Sequence, residues 1–446
     1  MKPCFQSADI LLPKAGTDLN KWAVSACDQY TSCPEYWAEV EGQVNAAPSA
    51  LHLIYPEVYL EEERNKPGTN GSGCTAMDER IHSIHRNMDL YLREKILTEQ
   101  VTDGFVLVVR KTCSGTRVGL VGVVDLEQYE YEADSSAPVR ATERTITERI
   151  PPRMKIREDA SLETSHVMLL IDDRERWLAE PLYEKREKFR KLYETELMKD
   201  GGYVQGYAIT GEDARDVEEL LQKMQEKAEG PFLAAGDGNH SLASAKEYWR
   251  QIKGNLSERQ QEDHPVRYAL AELVNVHSPA LIFEPIHRVV FGAEAQEVFE
   301  GFQAYLRERK IPWHAGTDII FLGRSGEADS QLEDGIAEGD AIKQCGIALG
   351  DTGGILPLDV LQKYLDCFVE AHPGSRVDYV HGEEEVRRIA RQPGGCGILL
   401  GAMDKRELFS AIAAGGTLPR KTFSLGEAQE KRYYMECRKI RREKKV

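Results

Sequence analysis

No run of about 18 apolar residues occurs in the 446-residue chain, so no transmembrane helix and no membrane partner are expected. The opening "MKPCFQSADILLPKAG" lacks both the longer apolar stretch and the small-residue cleavage site of a secretory signal. No CxxC pair is present. Nine cysteines lie scattered, at Cys4, Cys27, Cys33, Cys74, Cys113, Cys345, Cys367, Cys396 and Cys437. Their odd number and wide spacing fit reduced thiols, so a cytoplasmic location is expected. The lack of tight thiol or imidazole pairs argues against a zinc site. Low-complexity tracts and internal repeats are missing too. Positive charge is scarce: the net charge of −17 argues against a general nucleic-acid binder, which needs a basic surface to displace counterions. The local exception is the terminal "KRYYMECRKIRREKKV", with eight Lys or Arg against two Glu, which reads as a solvated helix or frayed tail.

What is present points to an α/β protein. The length exceeds one compact core and predicts two or three domains. In residues 1–135, "LHLIYPEVYL" reads as a strand or extended segment and "NKPGTNGSGC" as a loop. Ile81, Ile84, Met88 and Leu92 recur at helical spacing, and "FVLVVRK" and "RVGLVGVVDL" flank "TCSGT" as a β-hairpin. His82 and His85 lie one turn apart without a third ligand type beside them. Residues 136–290 alternate strand and helix: "VMLLI", the charged segment 180–199 read as a helix, "YVQGYAI", the helix "GEDARDVEELLQKMQEKAEG", "PFLAA", a helix from about Ser241 to Lys253, then "RYALAELVNV" and "ALIFEPIHRVV". Residues 291–446 alternate again, with a helix carrying Val298, Phe299, Phe302 and Leu306. The strands "DIIFLG" and "AIKQCGIALG" follow on either side of a polar loop at 324–340. Helices beginning near Leu358 and Lys405 and the strand "GILL" complete this segment.

One corner concentrates chemistry. In "PFLAAGDGNHSLASAKEYW" an apolar run ends at Gly236-Asp237-Gly238-Asn239-His240-Ser241, and a helix pattern follows. Glycines at 236 and 238 permit positive φ and close approach of a ligand. The helix start offers unpaired N–H groups and the positive end of a dipole, an anion site. Beside a phosphate, Asp237 makes sense if it holds Mg²⁺ or takes a proton, and His240 if it donates to an oxygen or acts as acid or base. The plain alternative is a tight turn with Asp, Asn or Ser capping the helix. Both readings stand at this point. His287 and Arg288 alternate on a probable strand, so only one of them can face the corner, and a buried His287 is the simpler reading. Cys27, in "VSACDQYTSCPEYW", lacks a nearby base for a nucleophile.

The corner resembles the D-G-H-H-R turn of a large bacterial and archaeal family known as domain of unknown function 1015, sometimes labelled SpoOJ/ParB-like. Other marks follow in the family's order: "VGLVGVVDLEQYE", "RATERTITERIPPRMKIREDA", "IFEPIHRVV", "LPLDVLQKYL", "VDYVHGEEEV" and "GTLPRKT". The chain departs from the family at Asn239 and Ser241, where relatives carry His and Arg, and at Thr142, where they carry a His before the Glu. Loss of that Arg removes a bidentate anion clamp. The same corner is similar to that of the ParB/sulfiredoxin superfamily, which includes CTPase clamps, sulfiredoxin and free-serine kinases. The resemblance implies an α/β (α+β) fold with a ParB/sulfiredoxin-like nucleotide-binding core at 136–290, flanked by α/β units at 1–135 and 291–446.

It also implies Mg²⁺-dependent phosphoryl transfer from ATP or ADP to a small hydroxyl metabolite such as serine. Glu143 would then be the base, Asp237 the metal ligand, and His240 a stabiliser of the transferring group. Gly236, Gly238, Asn239, Ser241, Arg144, Arg157 and Arg288 would form the nucleotide site, with Arg140, Arg144 or Arg157 replacing the lost Arg. The expected partners are therefore a nucleotide and a small substrate. The alternative is a non-enzymatic nucleotide-binding regulator or ParB-like switch. DNA binding is disfavoured by the acidic charge and the lack of a clear helix-turn-helix. For the run 140–159 alone, a solvated surface of ion pairs is the plain reading.

Overall fold

The computed structural model describes residues 2–69, 74–324, 342–352 and 355–441. The loops expected at 324–340 and at 65–74 lie wholly or partly outside these, as do residues 442–446. The protein is of the α/β class and forms two compact units, Met1–Ile282 with Gly426–Val446, and Phe283–Leu425. This division differs from the three segments expected, because strands from both sides of residue 135 share one sheet. Gly115–Asp125 pairs along its length with Tyr268–Asn275, from Gly119↔Val274 to Asp125↔Tyr268. The connections at 282 and 426 lie side by side, the Gly426 N–H donating to the Ile282 carbonyl at 3.0 Å. The unit at 283–425 is thus an insertion into the other.

In the first unit the sheet runs in the order Val139–Ala141, Leu233–Asp237, Met168–Ile171, Tyr268–Asn275, Gly115–Asp125, Leu97–Thr112 and Ala8–Pro13. Its spine is the expected hairpin. Leu97–Thr112 and Gly115–Asp125 extend further into the loop than expected, leaving Cys113 and Ser114 as a two-residue turn. Near-continuous burial of Phe105–Arg110 and Leu120–Asp125 shows that both sheet faces are covered there. Helix Ala76–Arg93 starts at a capping box between Thr75 and Asp78 and buries Met77, Ile81, Ile84, Met88 and Tyr91, an i, i+3, i+4 stripe. Helix Glu212–Lys227 buries Ala214, Val217 and Leu221.

Two expectations fail locally. Residues 51–60 form short helical turns, Ala50–Leu53 and Glu57–Tyr59, followed by helix Leu60–Asn65. The segment 180–199 is helical over Ala179–Glu184 and in a short turn at Arg186–Lys188, then becomes the strand Arg190–Glu196, which pairs with Tyr203–Ile209. Here a sheet edge overrides the helix preference of the charged residues.

The largest departure is the basic C-terminal stretch. It enters the core of the first unit instead of lying in solvent. Tyr433, Tyr434, Met435, Cys437 and Ile440 are buried, and Cys437–Lys439 is a strand between Ala8–Pro13 and Leu162–Thr164. Its cations are buried because carboxylates meet them. Arg432 pairs with Glu272 and Glu436, and Arg438 with Glu163 at 2.6 Å.

The second unit has its own sheet, in the order Ile342–Leu349, Trp313–Arg324, Gly395–Leu400, Phe283–Phe291 and Arg376–His381. Helix Ala295–Glu308 buries Val298, Phe302 and Leu306 against it, and helix Pro357–Ala371 packs into the same core. Among the described residues, no helix is long and apolar enough to cross a membrane.

Candidate functional site

Strand Leu233–Asp237 lies between Val139–Ala141, which is parallel to it, and Met168–Ile171, which is antiparallel. The register slips at Gly236, between Ala235 and Asp237, so the strand's end turns out of the ladder. Gly238 then adopts φ +74. A Cβ there would lie 3.0 Å from Val167 and 3.4 Å from the His166 ring, so both the angle and the space require glycine. Helix Asn239–Lys253 begins immediately and is anchored by buried Leu242, Ala243, Ala245 and Trp249. Its N-cap is Gly238, which has no side chain to cap with; Asp237 Oδ1 accepts from the Gly238 N–H at 3.0 Å, one residue short of the helix.

The segment after Val139–Ala141 wraps this corner. Thr142 donates to the Ala235 carbonyl at 2.7 Å and accepts from Asn239 Nδ2 at 3.4 Å. Four residues on, the Ile146 N–H donates to His240 Nε2 at 3.3 Å. Glu143, half-buried, and Arg144, exposed, sit between these two pins. Three buried side-chain atoms around the corner have no hydrogen-bond partner: Asp237 Oδ2, Asn239 Oδ1 and Thr145 Oγ1. A buried unpaired acceptor costs about 1–3 kcal/mol, so such a cluster is where a ligand's donors would be repaid.

Lys431 brings the positive charge that Ser241 does not supply. Its Nζ lies 3.6 Å from Asp237 Oδ2, an ion pair too long to satisfy that oxygen as a hydrogen bond. Beneath the corner lies His166, fully enclosed. Its Nδ1 is 2.7 Å from the Tyr434 hydroxyl and its Nε2 3.4 Å from Asp28. Burial opposes charge on this ring, but Asp28, with Asp237 and Glu57 behind it, raises its pKa above the ordinary value. Burial likewise pushes Asp28 up, yet His166, Gln29 and Lys431 together hold it well below the carboxylate range. Arg153 pairs with Glu57, whose pKa is raised by burial in spite of that partner.

The remaining expected residues fall elsewhere or are occupied. Arg157 pairs with Glu163 at 2.6 Å, so it is not the replacement clamp, although its Nε is buried without a partner. Arg140 donates to the Ala137 carbonyl at 3.1 Å. Arg288 belongs to the inserted unit. It is fully buried there, donating to Gln362 at 3.0 Å and to the carbonyls of Ile286, Lys421 and Arg420. Its guanidinium holds that unit together. His287 is buried beside it and accepts from the Leu400 N–H at 3.2 Å. Cys27 is half-buried, and burial with Glu57 and Asp28 nearby pushes its thiol up, away from nucleophilic form. His85 bonds the Ile156 carbonyl at 2.8 Å.

Asp28, Glu57, Arg153, His166, Lys431 and Tyr434 were not singled out in the sequence as site residues. The signals near them were the Cys-Asp-aromatic cluster around Cys27, the run 140–160 that holds Arg153, and the basic terminal stretch that holds Lys431 and Tyr434.

Among the described residues, no group of three or more His, Cys, Asp or Glu is arranged to hold a metal. Asp237 alone, with one unpaired oxygen, fits a Mg²⁺ ion that keeps a shell of water and phosphate and needs only one or two carboxylates.

Residues 11–352 match the family described as "Protein of unknown function (DUF1015)". The segment that supplies Lys431 and Tyr434 lies beyond that stretch. No curated protein matches. Among solved structures, a free serine kinase mutant in complex with ADP is similar at 10% identity and TM-score 0.36, over 71% of this chain and 91% of that one. A conserved hypothetical protein from Pyrococcus furiosus is similar at 10% identity and TM-score 0.31, over 70% and 90%. SbnI with a C-terminal truncation, from Staphylococcus aureus, is similar at 9% identity and TM-score 0.33, over 69% and 82%.

Proposed function

Since this chain belongs to the DUF1015 family, whose function is unknown, we propose from its corner a Mg²⁺-dependent phosphotransferase that moves a phosphoryl group from ATP or ADP to a small hydroxyl metabolite. One observation carries the reading: a helix start with no side-chain cap stands among three buried polar atoms without a hydrogen bond, Asp237 Oδ2, Asn239 Oδ1 and Thr145 Oγ1. The helix supplies N–H donors and a positive dipole end for phosphate oxygens. The unpaired acceptors suit the hydroxyls of a ribose and a hydrated cation. A plain structural turn would leave all of them unpaid.

In this reading Asp237 holds Mg²⁺, which screens the phosphate charge when bound. Lys431 offsets the second negative charge that a phosphate brings to Asp237. Glu143, pinned over the corner by Thr142 and Ile146, accepts the proton of the attacking hydroxyl. Gly236 and Gly238 let the phosphates approach the backbone, and Asn239 and Ser241 line the approach. His240 positions the loop through the Ile146 N–H, because its Nε2 is already an acceptor. The expected site is a protein working in the cytoplasm without membrane or nucleic-acid partners.

The test is calorimetry of the purified chain with ATP and ADP, with and without Mg²⁺, followed by ³¹P NMR with a panel of hydroxy metabolites. Binding that falls at least tenfold in Asp237→Ala, and a new phosphate ester in the wild type, are expected. No nucleotide binding removes the proposal.

A second reading, nucleotide binding without transfer, is favoured by one feature: the Lys431 ammonium stands 3.6 Å from the carboxylate oxygen that would meet Mg²⁺ and competes with it. Nucleotide binding with no ester formed across the panel would select it.

A further inference from the structure

A cavity of about 110 Å³ adjoins the corner. It shares a wall with it: Ser241 and Ser244, on the first two turns of the corner helix, line the cavity, and so does His166, against which Gly238 packs. The lining carboxylates and guanidiniums balance. Glu57 pairs with Arg153 and Glu163 with Arg157, while two groups outside the lining complete the set: Asp28 meets the His166 ring and Arg438 also pairs with Glu163. Most of the remaining wall is aliphatic, including Leu53, Met88 and Leu162. One polar donor is left over, the buried Nε of Arg157, and Tyr434, whose hydroxyl meets His166, also lines the space.

Each of these features limits the occupant. A ligand with net charge would lose its water and find no unpaired counter-charge, a cost of several kcal/mol. An apolar cavity of about 150 Å³ holds benzene, whose six non-hydrogen atoms scale to about four or five here; this cavity is open on one side, so the rest of a slightly larger ligand lies in its mouth. The paired ions and hydroxyls supply hydrogen bonds at fixed places on an otherwise apolar wall, the usual design of a small-molecule site.

We infer that this cavity is the acceptor site: it takes a small hydroxyl compound that is uncharged overall, neutral or zwitterionic, and presents its hydroxyl toward the phosphate at the corner. The inference rests on reading the corner as the phosphate site. In the transfer the acceptor oxygen forms a bond to the terminal phosphorus as the bond from phosphorus to the bridging oxygen breaks. The electron pair leaves with the nucleotide, and the hydroxyl proton passes to the Glu143 carboxylate.

The test uses the full chain with two separate readouts. ADP binding by calorimetry reports the corner. Ligand-observed NMR in the presence of ADP reports the cavity, with L-serine and 1,2-propanediol as small uncharged-overall probes, malate as a dianion and glucose as a larger neutral one. The first two should bind in competition with each other, and the last two at least tenfold more weakly. ADP binding with no such preference overturns the cavity assignment and leaves the corner reading standing. Preference for the small probes without ADP binding overturns the corner reading and, with it, the acceptor role.

Glu57→Gln leaves Arg153 without its partner and makes the cavity net positive. The ratio of glycerate to L-serine affinity should then rise about tenfold, with far-ultraviolet circular dichroism confirming the fold. An unchanged ratio in a folded variant overturns the inference.

Discussion

Arg432→Met tests whether the C-terminal segment is a structural member of the first unit. In the wild type, Arg432 donates to the carboxylates of Glu272 and Glu436 and to the Ser165 carbonyl at 2.8 Å. The three side chains are 4%, 2% and 1% exposed. Methionine conserves much of the volume but removes the charge. Two neighbours then soften the loss: Arg117 stands 4.0 Å from Glu272, and the Tyr193 hydroxyl donates to Glu436. One buried negative charge remains without a counter-charge, and breaking a buried pair this way costs about 3–5 kcal/mol. Arg432→Met combined with Glu436→Gln removes that surplus charge and should recover roughly half the loss.

Urea denaturation followed by tryptophan fluorescence is the assay, because the Trp22 indole donates to the Met435 carbonyl at 3.2 Å within this segment. With two units the curve is read as two transitions, and only the one reported by Trp22 should shift. A loss under about 1 kcal/mol, the size of a surface pair, would refute the burial argument.

Three other outcomes are expected. Gly238→Ala forces a non-glycine residue into φ +74 against Val167 and should destabilise the first unit by at least about 1–2 kcal/mol in urea; an unchanged midpoint would contradict the turn geometry. His166 has a raised pKa, so its contribution to stability is full below its unfolded value of about 6.5 and is lost as pH rises through the folded value. Glu163 and Glu272 are depressed in spite of burial, so theirs is present above about 4.3 and is lost as pH falls through their folded values. Thermal melts should therefore decline on both sides, and His166→Gln should flatten only the alkaline limb. Finally, because Gly426 and Ile282 are hydrogen-bonded neighbours, replacing 283–425 with a short turn should leave a first unit that unfolds cooperatively on its own; an aggregated or molten product would refute its independence.

The elements were legible where local pattern and tertiary packing agreed. Helix Ala76–Arg93 shows its apolar stripe in sequence, and the central hairpin shows its turn. The charged segment 180–199 misled because an edge strand can display the same run of Lys, Glu and Arg that an exposed helix does. The corner was visible because glycines and a carboxylate at a strand-to-helix junction have few other uses. Its surroundings were not. His166 lies more than seventy residues before the corner's end and Lys431 almost two hundred after it, and no local rule connects them. The basic terminal stretch shows the limit most clearly: charge alone reads as solvated, and only the placement of Glu163, Glu272 and Asp237 makes Arg438, Arg432 and Lys431 core residues.

The inserted unit gives this arrangement a schedule. Ribosomes add about 5–20 residues each second, so roughly eight to thirty seconds separate the exit of Ile282 from that of the segment ending at Arg441. Through that interval Glu163, Glu272 and Asp237 are all synthesised while Arg438, Arg432 and Lys431 are not, although Arg157 and Arg117 already stand beside the first two. A first unit closed early would bury those carboxylates short of these partners and without the strand Cys437–Lys439, so its completion waits for that strand. The inserted unit, whose residues are contiguous, is free to fold first. Nascent chains stalled between about residues 300 and 425 should therefore expose the corner's sheet to chaperones and proteases, however well the insertion itself has folded.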